Sequence, residues 1–145
     1  MRFIVIAQPR AEFDAWLVEQ ARPAPSPTEA TPLIKLGHDV FVTRNGSPTD
    51  ADSGVRGAGC NACHRIEGMS AKGTSGPNLT HFASRDTFAG STMENTQSEL
   101  RNWLDNPAKM KPGNLMARDA AVFNEPDGLS EIQFSALGAF LRSLE

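Results

Sequence analysis

The pentapeptide Cys60-Asn61-Ala62-Cys63-His64 constrains this chain more than any other stretch of it. Its cysteines are the only two in 145 residues. Lying so close together, they cannot staple distant parts of the chain, so no disulfide framework supports the fold. Two intervening residues put both sulfurs on one side of a helical turn. From there they reach two vinyl groups on adjacent edges of one porphyrin. The next residue, His64, is thrown under the ring centre, imidazole nitrogen toward iron. This is the attachment signature of a c-type haem. Two other chemistries use paired cysteines. Zinc wants four nitrogen or sulfur ligands, and His38 and His81 are the only further histidines. A thioredoxin-like dithiol wants a βαβ context, of which the sequence carries no sign. One covalent haem is the expected cofactor, with Cys60, Cys63 and His64 as its first binding residues.

Composition suits a chain that leans on such a group. Hydrophobic residues make up 39%, and 12 glycines and 10 prolines signal many loops. The formal net charge is −3, with both signs mixed along the chain. No basic run argues for nucleic acid. The longest apolar run, Phe3 to Ala7, falls far short of the roughly 20 residues that span a bilayer. It is also too short for a signal-peptide core and has no small-residue cleavage site. If the protein is exported, its targeting information lies outside these residues.

Three parts separate on composition. Residues 1–20 hold a β-type run, Phe3-Ile4-Val5-Ile6, then a helix from Pro9 with Phe13, Trp16 and Leu17 on one face. Residues 21–30 are a linker, whose three alternate prolines favour an extended, semi-rigid chain. Residues 31–145 read as one mostly α domain with long irregular loops. Thr31-Pro32 opens a helix with Leu33, Leu36, Gly37, Val40 and Phe41 inward, and Asn45-Gly46 stops it. A polar loop, Ser47 to Gly59, leads to the cysteines. Thr96 to Glu99 is a capping box for a helix with Leu100, Trp103 and Leu104 inward and Pro107 past its end. Ser130 and Gln133 box the last helix, whose stripe is Leu137, Phe140, Leu141 and Leu144.

A six-coordinate iron needs a second axial ligand. The candidates are Met69, Met93, Met110, Met116, His38 and His81. Met69 is too close to His64 to wrap round the ring edge. Met116 closes Lys111-Pro112-Gly113-Asn114-Leu115-Met116, where a Pro-Gly turn can present a side chain from a tight loop without a helix. It is the preferred ligand, and Met110 is second. For any of these methionines the competing role is core filler.

These motifs, read in order, resemble the class I cytochrome c family. They are Gly37 with Phe41, Cys60 to His64, Gly76-Pro77-Asn78-Leu79, Pro112 to Met116, and an aromatic in the last helix, Phe140. The resemblance covers residues 31–145. It implies a class I cytochrome c fold around one covalent haem with His64/Met116 ligation. It also implies that the Pro77 carbonyl accepts the proton of the second His64 ring nitrogen, and that Gly37 lets the two terminal helices cross closely. Trp103 and Arg85 become candidates to bind the haem propionates. Core packing is the other role open to Trp103, and an exposed site the other one open to Arg85. His81 reads as structural and His38 as solvent-exposed.

A closer likeness adds the first 20 residues. Met1 to Leu17 resembles the end of the copper domain in subunit II of haem-copper oxidases, where the last strand of a cupredoxin barrel leads into a short helix. Leu79 to Arg85 and Trp103 to Met116 are similar to the cytochrome c domain fused to that subunit in caa-type oxidases. The sequence departs from that pattern at Ala117, where a proline is usual, and in the long stretch Arg118 to Gly128. The resemblance implies an electron carrier with no substrate chemistry of its own. It would take electrons from an external donor (a cytochrome c, a high-potential iron-sulfur protein or a quinol-oxidising complex). It would pass them to the dinuclear copper centre of the same subunit, and so to subunit I. It implies a place on the periplasmic or outer face of the bacterial cytoplasmic membrane, membrane contact coming only through other parts of the subunit. No copper is held here, since its ligands would precede residue 1. The rival readings are a free or differently fused cytochrome c, a haem peroxidase or gas sensor with an open sixth position, and a zinc module. Residues 1–20 oppose the first, and the Pro-Gly-x-x-Met loop opposes the second. The apolar residues of 1–20 are expected to dock on the haem domain or on a neighbouring molecule.

Overall fold

The structure is a computed structural model that describes residues 3–43, 59–123 and 128–145. The helix stop expected at Asn45-Gly46 and nearly all of the following polar loop lie outside these residues. The architecture is mostly α: six helices and one two-stranded hairpin among the described residues.

Helix α1 spans Arg10–Gln20 and α2 spans Pro32–Thr43. The Thr31 hydroxyl accepts the Ile34 N–H at 3.4 Å and so caps α2. A hairpin pairs β1 (Thr87–Phe88) with β2 (Met93–Glu94) in antiparallel register, Thr87 opposite Glu94 and Phe88 opposite Met93. Then come α3 (Gln97–Asp105), α4 (Pro107–Met110), α5 (Leu115–Asp119) and α6 (Glu131–Leu141). Each of these four helices starts at a side-chain cap: Thr96, Asn106, Asn114 and Ser130 accept N–H groups from the first turn. Such a cap satisfies a donor that the helix itself cannot. At α6 the capping box is complete, with Gln133 Oε1 accepting the Ser130 N–H at 2.8 Å.

The core forms where α2 crosses α6. Gly37 makes the crossing possible: a Cβ there would lie 2.0 Å from the Ala136 carbonyl oxygen and 2.7 Å from the Phe140 Cβ. Phe41 and Phe140 then meet at 5.6 Å between ring centroids. This close approach also corrects the reading of His38. Its ring stands edge-on to Phe140 at 5.5 Å, and only 25% of its side chain is exposed. Leu33, expected inward, is 40% exposed, on the first turn of α2 before the crossing. A second aromatic group runs from Phe82 through Phe88 to Trp103, bringing the hairpin against α3. Periodicity gave no hint of this hairpin, because strands of two residues are too short for a pattern.

The N-terminal segment departs from expectation. Residues 3–9 form no strand, and α1 buries none of its residues. Phe3 is 85% exposed, and Phe13 and Trp16 stack on each other at 5.8 Å rather than on the domain. A strand needs partners for its backbone groups, and none pairs with Phe3–Ile6 among the described residues. Contact with the domain is made instead by the linker. Ala24 is buried, and its N–H donates to the Glu67 carbonyl at 3.0 Å. His81 Nε2 lies 3.3 Å from the Gln20 carbonyl oxygen at the end of α1. No helix among the described residues is long and apolar enough to cross a membrane.

Candidate functional site

Cys60–Ala62 form a single 3-10 turn, and the His64 N–H closes back on the Cys60 carbonyl at 2.9 Å. The first cysteine and the histidine are therefore one turn apart. Both thiols are free, Cys63 exposed and Cys60 half-buried. Burial pushes the Cys60 thiol up to about 11, against an opposing backbone hydrogen bond and with the neighbouring Cys63 adding to the rise. A redox dithiol needs a thiolate favoured near neutral pH, so this environment argues against that chemistry. Zinc fares no better: among the described residues no group of three or more His, Cys, Asp and Glu side chains could hold a metal.

A second strip of chain, residues 71–79, lies along the first and aims the histidine. Gly76 N–H donates to the Cys63 carbonyl at 2.7 Å, Gly73 N–H to the Asn61 carbonyl at 3.2 Å, and Leu79 N–H to the Arg65 carbonyl at 2.8 Å. The strips approach so closely that side chains are excluded. A Cβ on Gly76 would sit 2.7 Å from His64 Cε1 and 2.8 Å from its Nδ1. At Gly73 a Cβ would meet the Cys63 carbonyl carbon at 2.4 Å. Against this wall the His64 Nδ1 lies 2.8 Å from the Pro77 carbonyl oxygen. The carbonyl can only accept, so Nδ1 carries the proton and Nε2 keeps a free lone pair. Burial lowers the His64 pKa. The Pro77 bond opposes that shift, and the charge of Arg85 adds to it. The shift favours the neutral imidazole, the form that binds a metal.

The remaining candidates are less tightly gathered. Arg85 donates from Nη2 to the Asn78 carbonyl, and its guanidinium lies 6.0 Å from the Phe82 ring centroid. Burial lowers its pKa, so it is no exposed surface arginine. Trp103 packs edge-on against Phe88 at 6.0 Å. Met116 stands on α5 rather than in an open loop. The turn before it has Gly113 at φ 78, with the Asn114 N–H donating to the Lys111 carbonyl at 3.3 Å. Met93 is in the core and Met69 and Met110 pack against it, whereas half-buried Met116 is not part of that cluster. Core filling therefore accounts for the other three better than for Met116.

Sequence reasoning missed three contributors. Asn114 organises the Met116 turn: Nδ2 donates to the Pro107 and Lys111 carbonyls at 2.8 and 2.7 Å, and Oδ1 accepts the Ala117 N–H at 2.8 Å. An Asn directly before a helical run is a capping signal that could have found it. Gly73 carries no such signal. Thr80 is buried, its hydroxyl paired on both sides.

Two free thiols one turn apart, a neutral imidazole with one nitrogen held and the other free, and a side-chain-free wall beside it fit a haem c. Comparison with known proteins agrees. A sequence profile of the cytochrome c family matches residues 53–145. Over all 145 residues the chain is 33% identical to cytochrome c oxidase subunit 2 of Bacillus sp. (strain PS3) and 32% identical to that of Alkalihalophilus pseudofirmus. The Bacillus subtilis subunit 2 is 26% identical over an alignment of 148 residues. In each case the whole of this chain is matched, and it spans 35% of the relative's length. By sequence, fold and site, the chain belongs to the cytochrome c family.

Proposed function

We propose that this chain carries one haem c, bound covalently through Cys60 and Cys63 with His64 and Met116 as axial ligands, and relays electrons within a cytochrome c oxidase. The observation that carries the reading is the His64 Nδ1 to Pro77 carbonyl bond of 2.8 Å, set one residue past the second cysteine. It holds the ring at one nitrogen and makes the other a better donor. When bound, the haem supplies a one-electron ferric/ferrous couple. Everything else falls to the chain. His64 is oriented by Pro77 and walled by Gly76. Met116 is presented by the Asn114-capped turn, and a thioether ligand raises the potential. Arg85 sets a fixed positive charge near His64, which suits a propionate partner. No substrate bond is made or broken.

The place in an oxidase rests on the three subunit 2 relatives, which match residues 1–52 as well as the family region. It is also supported by the exposed apolar residues from Phe3 to Val18. A preceding copper domain of the same subunit would cover that face. In this reading residues 1–20 end the copper domain, 21–30 link, and 31–145 hold the haem. Electrons come from an external donor and leave to the dinuclear copper centre, then to subunit I. Haem c is attached outside the cytoplasm, so the domain faces the outer side of the membrane.

The test is to make the chain in a host that matures haem c and record the pyridine haemochrome. A thioether-type α-band that survives acid-acetone extraction supports the attachment. A protein that yields its haem to the solvent overturns it. Stopped-flow mixing of the reduced protein, extended by the preceding part of its subunit, should then show transfer to copper. A haem that stays reduced while copper stays oxidised would leave a cytochrome c serving some other redox enzyme.

A further inference from the structure

We propose that Thr80 is a positioning residue for His64, acting through Asn78 to hold the Pro77 carbonyl in place. The inference rests on the reading of His64 as an iron ligand. Thr80 is 3% exposed and is the one buried polar side chain among the described residues. Its hydroxyl accepts the Glu67 N–H at 2.9 Å and donates to Asn78 Oδ1 at 2.5 Å. Asn78 Oδ1 also accepts the Thr80 N–H at 2.9 Å. Asn78 is therefore gripped twice through its side chain, and a third time at its carbonyl by Arg85.

The Pro77 carbonyl and the Asn78 nitrogen belong to one rigid peptide plane. Fixing Asn78 on its far side stops that plane from rotating. The carbonyl then stays on the His64 Nδ1–H, and the ring gains donor strength toward a metal at Nε2. The same hydroxyl ties this strip to Glu67, on the strand of chain that leaves His64. The two walls of the histidine site are thus locked by one side chain. A threonine that only filled space would need none of these bonds.

The experiment measures reduction potential and thermal stability of the haem-loaded full chain in three variants. Thr80→Val keeps the volume and loses the hydroxyl. Thr80→Ser keeps the hydroxyl and loses a methyl. Asn78→Ala removes the shared acceptor at an exposed position and so opens no cavity. With the clamp lost, the imidazole donates less and the ferric form is less favoured. Thr80→Val and Asn78→Ala should each shift the ferric/ferrous equilibrium about threefold toward ferrous, roughly 28 mV at 59 mV per tenfold. Thr80→Ser should keep the parental potential although it melts earlier. An unchanged potential in both Thr80→Val and Asn78→Ala, with His64 still on the iron, overturns the role of Thr80 and leaves the functional reading intact. A Thr80→Ser shift as large as that of Thr80→Val also overturns it, since packing would then be the cause. If the unaltered protein binds no haem, or binds it without His64, the functional reading falls and takes this inference with it.

Discussion

In the proposed site Met116 would serve the iron as a donor, whereas Gly76 serves His64 by leaving space beside its ring. Replacing Met116 with Ala should abolish the sulfur-to-iron charge-transfer band of the oxidised protein. It should lower the potential by on the order of 0.1 V, a fraction of the roughly 0.8 V that axial ligands command. If the band survives Met116→Ala and disappears in Met110→Ala, the ligand is Met110. Gly76→Ala tests the wall. Its new Cβ, 2.7 Å from the imidazole, must push the ring or the backbone aside. Overpacking of this kind costs about 1–3 kcal/mol, so the melting temperature should fall and the yield of haem-loaded protein with it. Equal yield and stability would mean that the strips can part freely.

At the level of elements, the helices stand on caps and on one crossing. Gly37→Ala should be more damaging than a usual glycine-to-alanine change, because the added methyl meets the α6 backbone at 2.0 Å. A loss of about 3 kcal/mol, the upper end for overpacking, is expected in denaturant unfolding. Any gain in stability would show that α2 and α6 slide past each other at little cost. Ser130→Ala, by contrast, removes one cap and should cost about 1 kcal/mol. The starts of α2, α3 and α6 were legible from Thr31-Pro32, Thr96 and Ser130, because capping is local chemistry written in a few residues. The cysteine turn was legible for the same reason, whereas the Pro77 partner followed only from the family resemblance. The hairpin, the edge contact of His38 and the exposure of Leu33 were not. The hairpin's strands are too short to show a pattern, and the other two depend on where α2 meets α6, which is decided by residues a hundred positions apart. Thr80 looked like any loop threonine until its burial was known.

Over the whole molecule, the packed part and the N-terminal part behave as different materials. The domain has many loops, and its core should need the haem at its centre, since small domains bury too little apolar surface alone. The double variant Cys60→Ala/Cys63→Ala made without haem should therefore give poorly dispersed amide NMR spectra. Sharp, dispersed peaks would show that protein side chains suffice. Deleting residues 1–20 should leave the haem spectrum and potential nearly unchanged while reducing self-association, because that segment buries nothing in the domain. Extending the deletion through residue 30 should also lower the melting temperature, since Ala24 is lost. A large change in potential with the shorter deletion would mean that the segment shields the haem.

The bond from Ala24 to Glu67 bears on reach. A free linker of ten residues could stretch about 33–36 Å. Pinned at Ala24, the end of α1 stays within four steps of chain of the domain even when the His81 contact to Gln20 opens, about 13 Å at full stretch. The volume that α1 can explore around the domain falls roughly as the cube of that length. Its effective concentration at any site on the domain's surface rises by more than tenfold in consequence. Whatever grips α1 thus holds the domain on a short leash, and an encounter between the two is set by this anchor rather than by diffusion from solution.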